Sequence, residues 1–178
     1  MTDAIPISWL NDYIFDPKSI YFHNILADFD IINYHQKPQI LGNIAHESLD
    51  KQTYTNSKQY LIDKSIYSEE FNLVGKIDIF DIQTKTLIER KKKIHKLYQG
   101  QIYQLWAQYY CMLEMGYEIN HLKIYSISDN KNYLINIPTI EDKLIFSEFI
   151  IQLQNDSNYH GSSNQAKNTT SIYKEYYF

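Results

Sequence analysis

Gly75-Lys76-Ile77-Asp78-Ile79-Phe80-Asp81 and, beyond a short turn, Thr86-Leu87-Ile88-Glu89-Arg90-Lys91 decide how this chain reads. Both stretches are built from strand-forming residues, and Asp81-Ile82-Gln83-Thr84-Lys85 between them has the composition of a hairpin turn. Side chains two apart on a strand project from one face, so Glu89 and Lys91 stand together. The hairpin brings Asp78 alongside them. Asp78 lies between Ile77 and Ile79 and shares a face with Val74 and Phe80, while Glu89 shares one with Leu87. A carboxylate in such an apolar strand loses hydration, and a metal, a basic partner or a proton must compensate.

A metal answers that need most economically. Asp78, Glu89 and the peptide carbonyl of Arg90 offer hard oxygen ligands suited to Mg²⁺ or Mn²⁺. Lys91 would orient or help deprotonate the attacking water and offset charge building on a scissile phosphate. The spacing is that of a metal-dependent nuclease core, with Asp78, Glu89 and Lys91 as its catalytic set. The same residue types also occur on surface hairpins that do no chemistry. Upstream, His46 is a further candidate ligand, and an imidazole would favour Mn²⁺ over Mg²⁺. A helical histidine equally serves as a hydrogen-bonded structural partner.

The element pattern spreads outward from this pair. Residues 7–26 read as helical material interrupted at Pro17, with Trp9, Leu10, Tyr13 and Ile14 on one face. Residues 41–54 read as a helix, 59–67 and 72–81 as strands, and 86–92 as a third strand. Residues 100–115 are the strongest helix, with Ile102, Leu105, Trp106, Tyr109, Met112 and Leu113 at helical spacing and Gly116 as its stop. A hairpin over 121–128 and 132–137 and a helix over 139–154 follow, before a polar tail. The order predicts an α/β fold with a central mixed sheet flanked by helices.

Composition sets the outer bounds. The chain has 178 residues, 44% of them hydrophobic and 21% charged, which fits a single domain with a core of its own. No apolar run reaches the ~20 residues of a membrane span, and no signal-peptide pattern stands at the start, so a cytoplasmic location is expected. The net charge of −4 argues against a general polyanion binder. Charge is concentrated, however: Arg90, Lys91, Lys92, Lys93, His95 and Lys96 cluster directly after the acidic pair. Lys92, Lys93 and Lys96 would guide phosphates there, or simply form a solvated strand end. Cys111, the one cysteine, reads as a packed core thiol.

Gln101, Gln104 and Gln108 make a polar stripe on the long helix. Gln104 is the candidate for the catalytic water or a phosphate, Gln101 for DNA contact, and Gln108 reads as solvent-facing. Tyr98, Tyr103 and Trp106 suit either base stacking or the core.

With His46, Gly75-Lys76-Ile77-Asp78, Glu89-Arg90-Lys91 and Gln104-Leu105-Trp106-Ala107-Gln108 in order, the chain resembles the RecB-like nucleases. Within them it is most similar to the fourth CRISPR-associated protein family. The resemblance runs over nearly the whole chain. It implies a restriction-endonuclease-like core of the PD-(D/E)XK, RecB type over residues 1–156, with 157–178 as the tail that carries the family's cluster segment. It implies Mn²⁺- or Mg²⁺-dependent exonuclease action, chiefly on single-stranded DNA, that trims prespacer ends during spacer acquisition. His46, Asp78, Glu89 and the Arg90 carbonyl would hold the metal, Lys91 would be catalytic, and Gln104 would be the motif glutamine. The CRISPR integrase complex is the implied partner, and a homo-oligomer is compatible with the family.

The departure concerns the [4Fe–4S] cluster usual in that family. Its four cysteine positions correspond to Asp16, Asn168, Ser171 and Tyr177, none of which supplies a thiolate. A chain without the cluster is expected. Two other readings remain: a DNA-binding scaffold subunit of the adaptation complex that leaves cutting to another nuclease, and a RecB-type nuclease of a repair or mobile-element setting.

Overall fold

The computed structural model describes residues 4–19 and 59–157. Strand β1 (Ile5–Pro6) leads into helix α1 (Ser8–Phe15), which places Leu10 and Tyr13 in the core with Trp9 and Ile14 packed beside them. Then come β2 (Tyr60–Ile62), β3 (Ser65–Ser68), β4 (Leu73–Lys76), β5 (Ile79–Asp81) and β6 (Thr86–Lys91). Helix α2 (Gln99–Glu114), strands β7 (His121–Ser126) and β8 (Lys131–Ile135), and helix α3 (Ile140–Ser157) complete the described chain. The helix expected over 41–54, which carries His46, lies outside the described residues, as does the tail from 158.

The α/β class and the mixed pairing agree with the sequence. The strands form two sheets: a five-stranded one in the order β2-β5-β6-β7-β8 and a three-stranded one in the order β1-β4-β3. Strands β6 and β7 run parallel, so α2 is the crossover between them, as parallel neighbours require. Strand β8 returns antiparallel on β7.

Two expected strands are each broken. Residues 59–67 divide into β2 and β3, and 72–81 into β4 and β5, because the hairpin bends from one sheet into the other. Asp63 takes a left-handed conformation at φ 54°, which Asp tolerates better than most residues. Across the bend Ile77 N–H donates to the Lys64 carbonyl at 3.0 Å and Asp63 N–H to the Asp78 carbonyl at 3.2 Å. Asp78 therefore stands in the break and not inside a strand.

Helix α2 is covered on several sides, by α1, the β3–β4 hairpin, β6 and, through Phe146 and Phe149, α3. Tyr103, Leu105, Trp106, Ala107, Tyr110, Cys111 and Met112 are all buried, whereas Leu113, expected inside, is exposed. Tyr103 and Trp106 are thus core residues, and the Trp106 indole donates to the Asn136 carbonyl at 3.2 Å. Helix α1 approaches so closely that a Cβ on Gly100 would lie 3.0 Å from the Asn11 Cα. Helix α3 sets Phe146, Phe149, Ile150 and Leu153 into the core, with Phe146 in ring contact with Phe71, Tyr103 and Tyr110. Thr139 and Asp142 cap its start reciprocally at 3.1 and 2.9 Å, the arrangement that satisfies two orphan amides at once. The helix runs past the expected end at 154 to Ser157.

The β5–β6 turn is pinned by Asp81, whose carboxylate accepts the N–H groups of Gln83 at 3.0 Å and Thr84 at 3.2 Å. Burial acts to raise the Asp81 pKa, but the hydrogen bonds from Thr84, Gln83 and Gln59 outweigh it and hold the group below its ordinary 3.8. A depressed folded-state value means that the charged form stabilises the fold. Its contribution is complete well above pH 3.8 and disappears as pH falls through the lower folded value. Asp81→Asn is expected to cost about 1–2 kcal/mol at neutral pH. In urea melts at a series of pH values the wild-type advantage should shrink toward zero in acid; a cost unchanged at low pH would exclude the ionised carboxylate as its source.

Candidate active site

Strand β6 supplies the centre of the site. Leu87 and Glu89 are buried and Lys91 is partly so, consistent with one face of a strand turned toward α2. Glu89 and Lys91 meet as expected, with Lys91 Nζ 2.8 Å from Glu89 Oε1. The pair is asymmetric: the Glu89 side chain is 6% exposed and that of Lys91 25%, so the ammonium forms the accessible side. Lys91 Nζ also donates to Gln104 Oε1 at 2.7 Å. Two acceptors on different elements thus fix a side chain that is otherwise rich in rotamers.

The break between β4 and β5 delivers Asp78. The β5–β6 register pairs Ile79 with Ile88, so the ladder would continue from Ile77 to Arg90. At that position the Arg90 N–H donates instead to Asp78 Oδ2 at 2.7 Å. A side-chain carboxylate has taken the place of a strand acceptor, and Asp78 is held against the peptide that follows Glu89.

Gln108 completes the arrangement and departs from its expected role. It is 1% exposed rather than solvent-facing. Its Nε2 donates to Glu89 Oε2 at 2.7 Å and approaches the Lys76 carbonyl at 3.4 Å. Both oxygens of Glu89 therefore have a donor, Lys91 on one and Gln108 on the other. Gln108 Oε1 is buried and accepts no hydrogen bond among the described residues. The sequence signal for this residue was present, one helical turn after Gln104, but a polar stripe on a helix ordinarily faces water.

The remaining site residues separate. Lys92, Lys93 and Lys96 are exposed on the loop that joins β6 to α2, and none forms a salt bridge with another described residue. Gln101, expected at DNA, turns back to accept the Tyr98 N–H at 3.1 Å and so caps α2. His46, Asn168, Ser171 and Tyr177 lie outside the described residues. Asp16 is exposed after α1 and accepts the Lys18 N–H at 3.0 Å. Cys111 is fully buried, and burial pushes its thiol pKa up, so it stays a neutral core group.

The donors suit a hard divalent cation in kind. Among the described residues no group of three or more His, Cys, Asp or Glu side chains is placed to hold a metal. Asp78 and Glu89 remain as a pair of carboxylates, and Mg²⁺ is commonly held by one or two carboxylates together with water and substrate phosphates. No protein-family model matches the chain, and no curated protein matches it. Among the described residues no helix is long and apolar enough to cross a membrane.

Proposed function

We propose that this chain is a metal-dependent deoxyribonuclease that hydrolyses phosphodiester bonds at single-stranded DNA ends. The observation that carries the reading is the fixed lysine: Lys91 Nζ lies 2.8 Å from Glu89 and 2.7 Å from Gln104, one residue beyond the peptide that holds Asp78. In this reading Asp78 and Glu89, with the Arg90 carbonyl, would hold Mn²⁺ or Mg²⁺, which when bound would polarise the scissile phosphate and favour attack by water. Glu89 and Gln104 take two of the three N–H donors of the Lys91 ammonium, and the third donates to the phosphoryl oxygen that gains charge. Lys92, Lys93 and Lys96 draw the strand in through its phosphates. His46 is the proposed further ligand.

The order of motifs and the terminal segments that resemble the fourth CRISPR-associated family support a setting in spacer acquisition. There the enzyme, a cytoplasmic protein, trims prespacer ends beside the integrase complex, in a form without the iron–sulfur cluster. The test incubates 5′- and 3′-labelled single- and double-stranded DNA with Mn²⁺ and wild type, Asp78→Ala or Lys91→Ala. Loss of DNA with wild type alone supports the nuclease. Equal loss with all three proteins sinks it, and tight binding without cleavage by wild type points to a scaffold subunit.

A further inference from the structure

Where α1 meets α2, two aromatic rings are exposed among the described residues. Phe15, the last residue of α1, is 62% exposed, and Tyr98, directly before α2, is 44% exposed. Single exposed aromatics are ordinary. These two are paired, with ring centroids 5.4 Å apart and planes at 63°. An edge-to-face contact of that kind contributes about 0.5–1.5 kcal/mol but leaves ring face uncovered.

The loop that leads to Tyr98 is basic: Lys92, Lys93, His95 and Lys96 are exposed on it. On the Phe15 side stand the acids Asp12 and Asp16, the latter accepting the Lys18 N–H at 3.0 Å. Tyr98 also bears a fixed relation to the site, since Gln104 lies six residues along the same helix, about 9 Å along its axis and about a third of the way round it. Of the three aromatics that the sequence offers for stacking, Tyr103 and Trp106 are buried, which leaves Tyr98 to act.

We infer that Phe15 and Tyr98, with Lys92, Lys93 and Lys96 of the loop that leads to Tyr98, form a platform on which unpaired bases of a single-stranded nucleic acid stack. Aromatic faces hold bases irrespective of sequence, and lysines hold the backbone. A duplex keeps its bases stacked on one another and gains only the phosphate contacts, so the platform selects single strands. The inference extends the nuclease reading by naming how the strand is held near Lys91, and its test needs no cleavage.

Fluorescence anisotropy with a labelled oligothymidylate and with a hairpin duplex of equal length, both in EDTA, separates the two. Phe15→Ala or Tyr98→Ala should weaken binding of the single strand by roughly 5- to 150-fold. Tyr98→Phe keeps the ring and should restore the wild-type affinity. Lys96→Ala should weaken both ligands and lower the salt dependence by about one counterion. Tyr98→Ala should keep the α2 cap, because the Tyr98 N–H that Gln101 accepts belongs to the backbone, and Phe15 is the exposed last residue of α1. Unchanged affinity in both alanine variants, an equal loss on the duplex, or no single-strand binding by wild type would each overturn the platform. A wild type that binds through the rings but cuts nothing with Mn²⁺ leaves the platform standing and removes the nuclease reading. Cleavage with unaltered binding by the alanine variants does the reverse.

Discussion

Lys91→Met should abolish cleavage, by about 10²–10³-fold or more, the loss found when a positioned charge-stabilising donor is removed. Its cost to stability is a separate quantity. The Glu89 side chain is 6% exposed and that of Lys91 25%, so the pair is largely buried and truncation of the lysine leaves a buried charge. The Gln108 donor and water entering from the lysine side offset part of a loss of up to about 3–5 kcal/mol. Activity compared with the folded fraction separates a catalytic lysine from a structural one. If Lys91 only neutralised Glu89, activity would fall no further than the folded fraction does. Lys91→Arg should not rescue, because a planar guanidinium cannot place one compact ammonium between Glu89 and Gln104. Adding Glu89→Gln to Lys91→Met should recover stability and leave cleavage absent. Single-turnover cleavage and urea melts on the same preparations decide it. Cleavage retained within about tenfold in Lys91→Met would be too small for a positioned donor of this kind.

The part of this site that rests on strand periodicity was legible in the residues. Glu89 and Lys91 are two apart on one strand, and no tertiary rearrangement short of a bulge can separate them. The β6–α2–β7 unit was legible for a related reason, because its pattern is long and its ends are marked by Gly116 and the hairpin turns. The bend that splits the preceding hairpin was not. It depends on a left-handed Asp63 and on which sheet each half joins, and neither leaves a period in the sequence. The Asp78 carboxylate nevertheless reaches β6, because the strand breaks and not because it shares a face with Phe80. Gln101 caps the helix, and Gln108, expected at solvent, is buried, since α2 is enclosed on more sides than an amphipathic pattern suggests. Helical spacing reports which residues share a face. It does not report how many faces are covered.

Gln108→Leu should lower kcat by about 10–100-fold, the usual cost of removing a group that orients a metal ligand, while stability changes little. Two terms of similar size oppose one another. Removal of Nε2 deprives the Glu89 carboxylate of a 2.7 Å donor, a loss of about 1.5–3 kcal/mol for a hydrogen bond to a charged group. Removal of Oε1 eliminates a buried acceptor that has no donor among the described residues, a gain of about 1–3 kcal/mol. The near-cancellation means that stability alone gives little reason for an amide at this position. Orientation of Glu89 gives one: with Lys91 on one oxygen and Gln108 on the other, the carboxylate plane is fixed before any cation or substrate arrives. Because Gln108 is 1% exposed it cannot touch DNA, so KM should hold while kcat falls. Gln108→Asn keeps the amide but is a methylene too short to reach Glu89 from the same helix, and it should behave like the leucine variant. A large loss of stability with kcat unchanged would make Gln108 a core amide and nothing more. A rise in KM with kcat unchanged would mean that the helix had shifted and that the strand, not the carboxylate, was displaced.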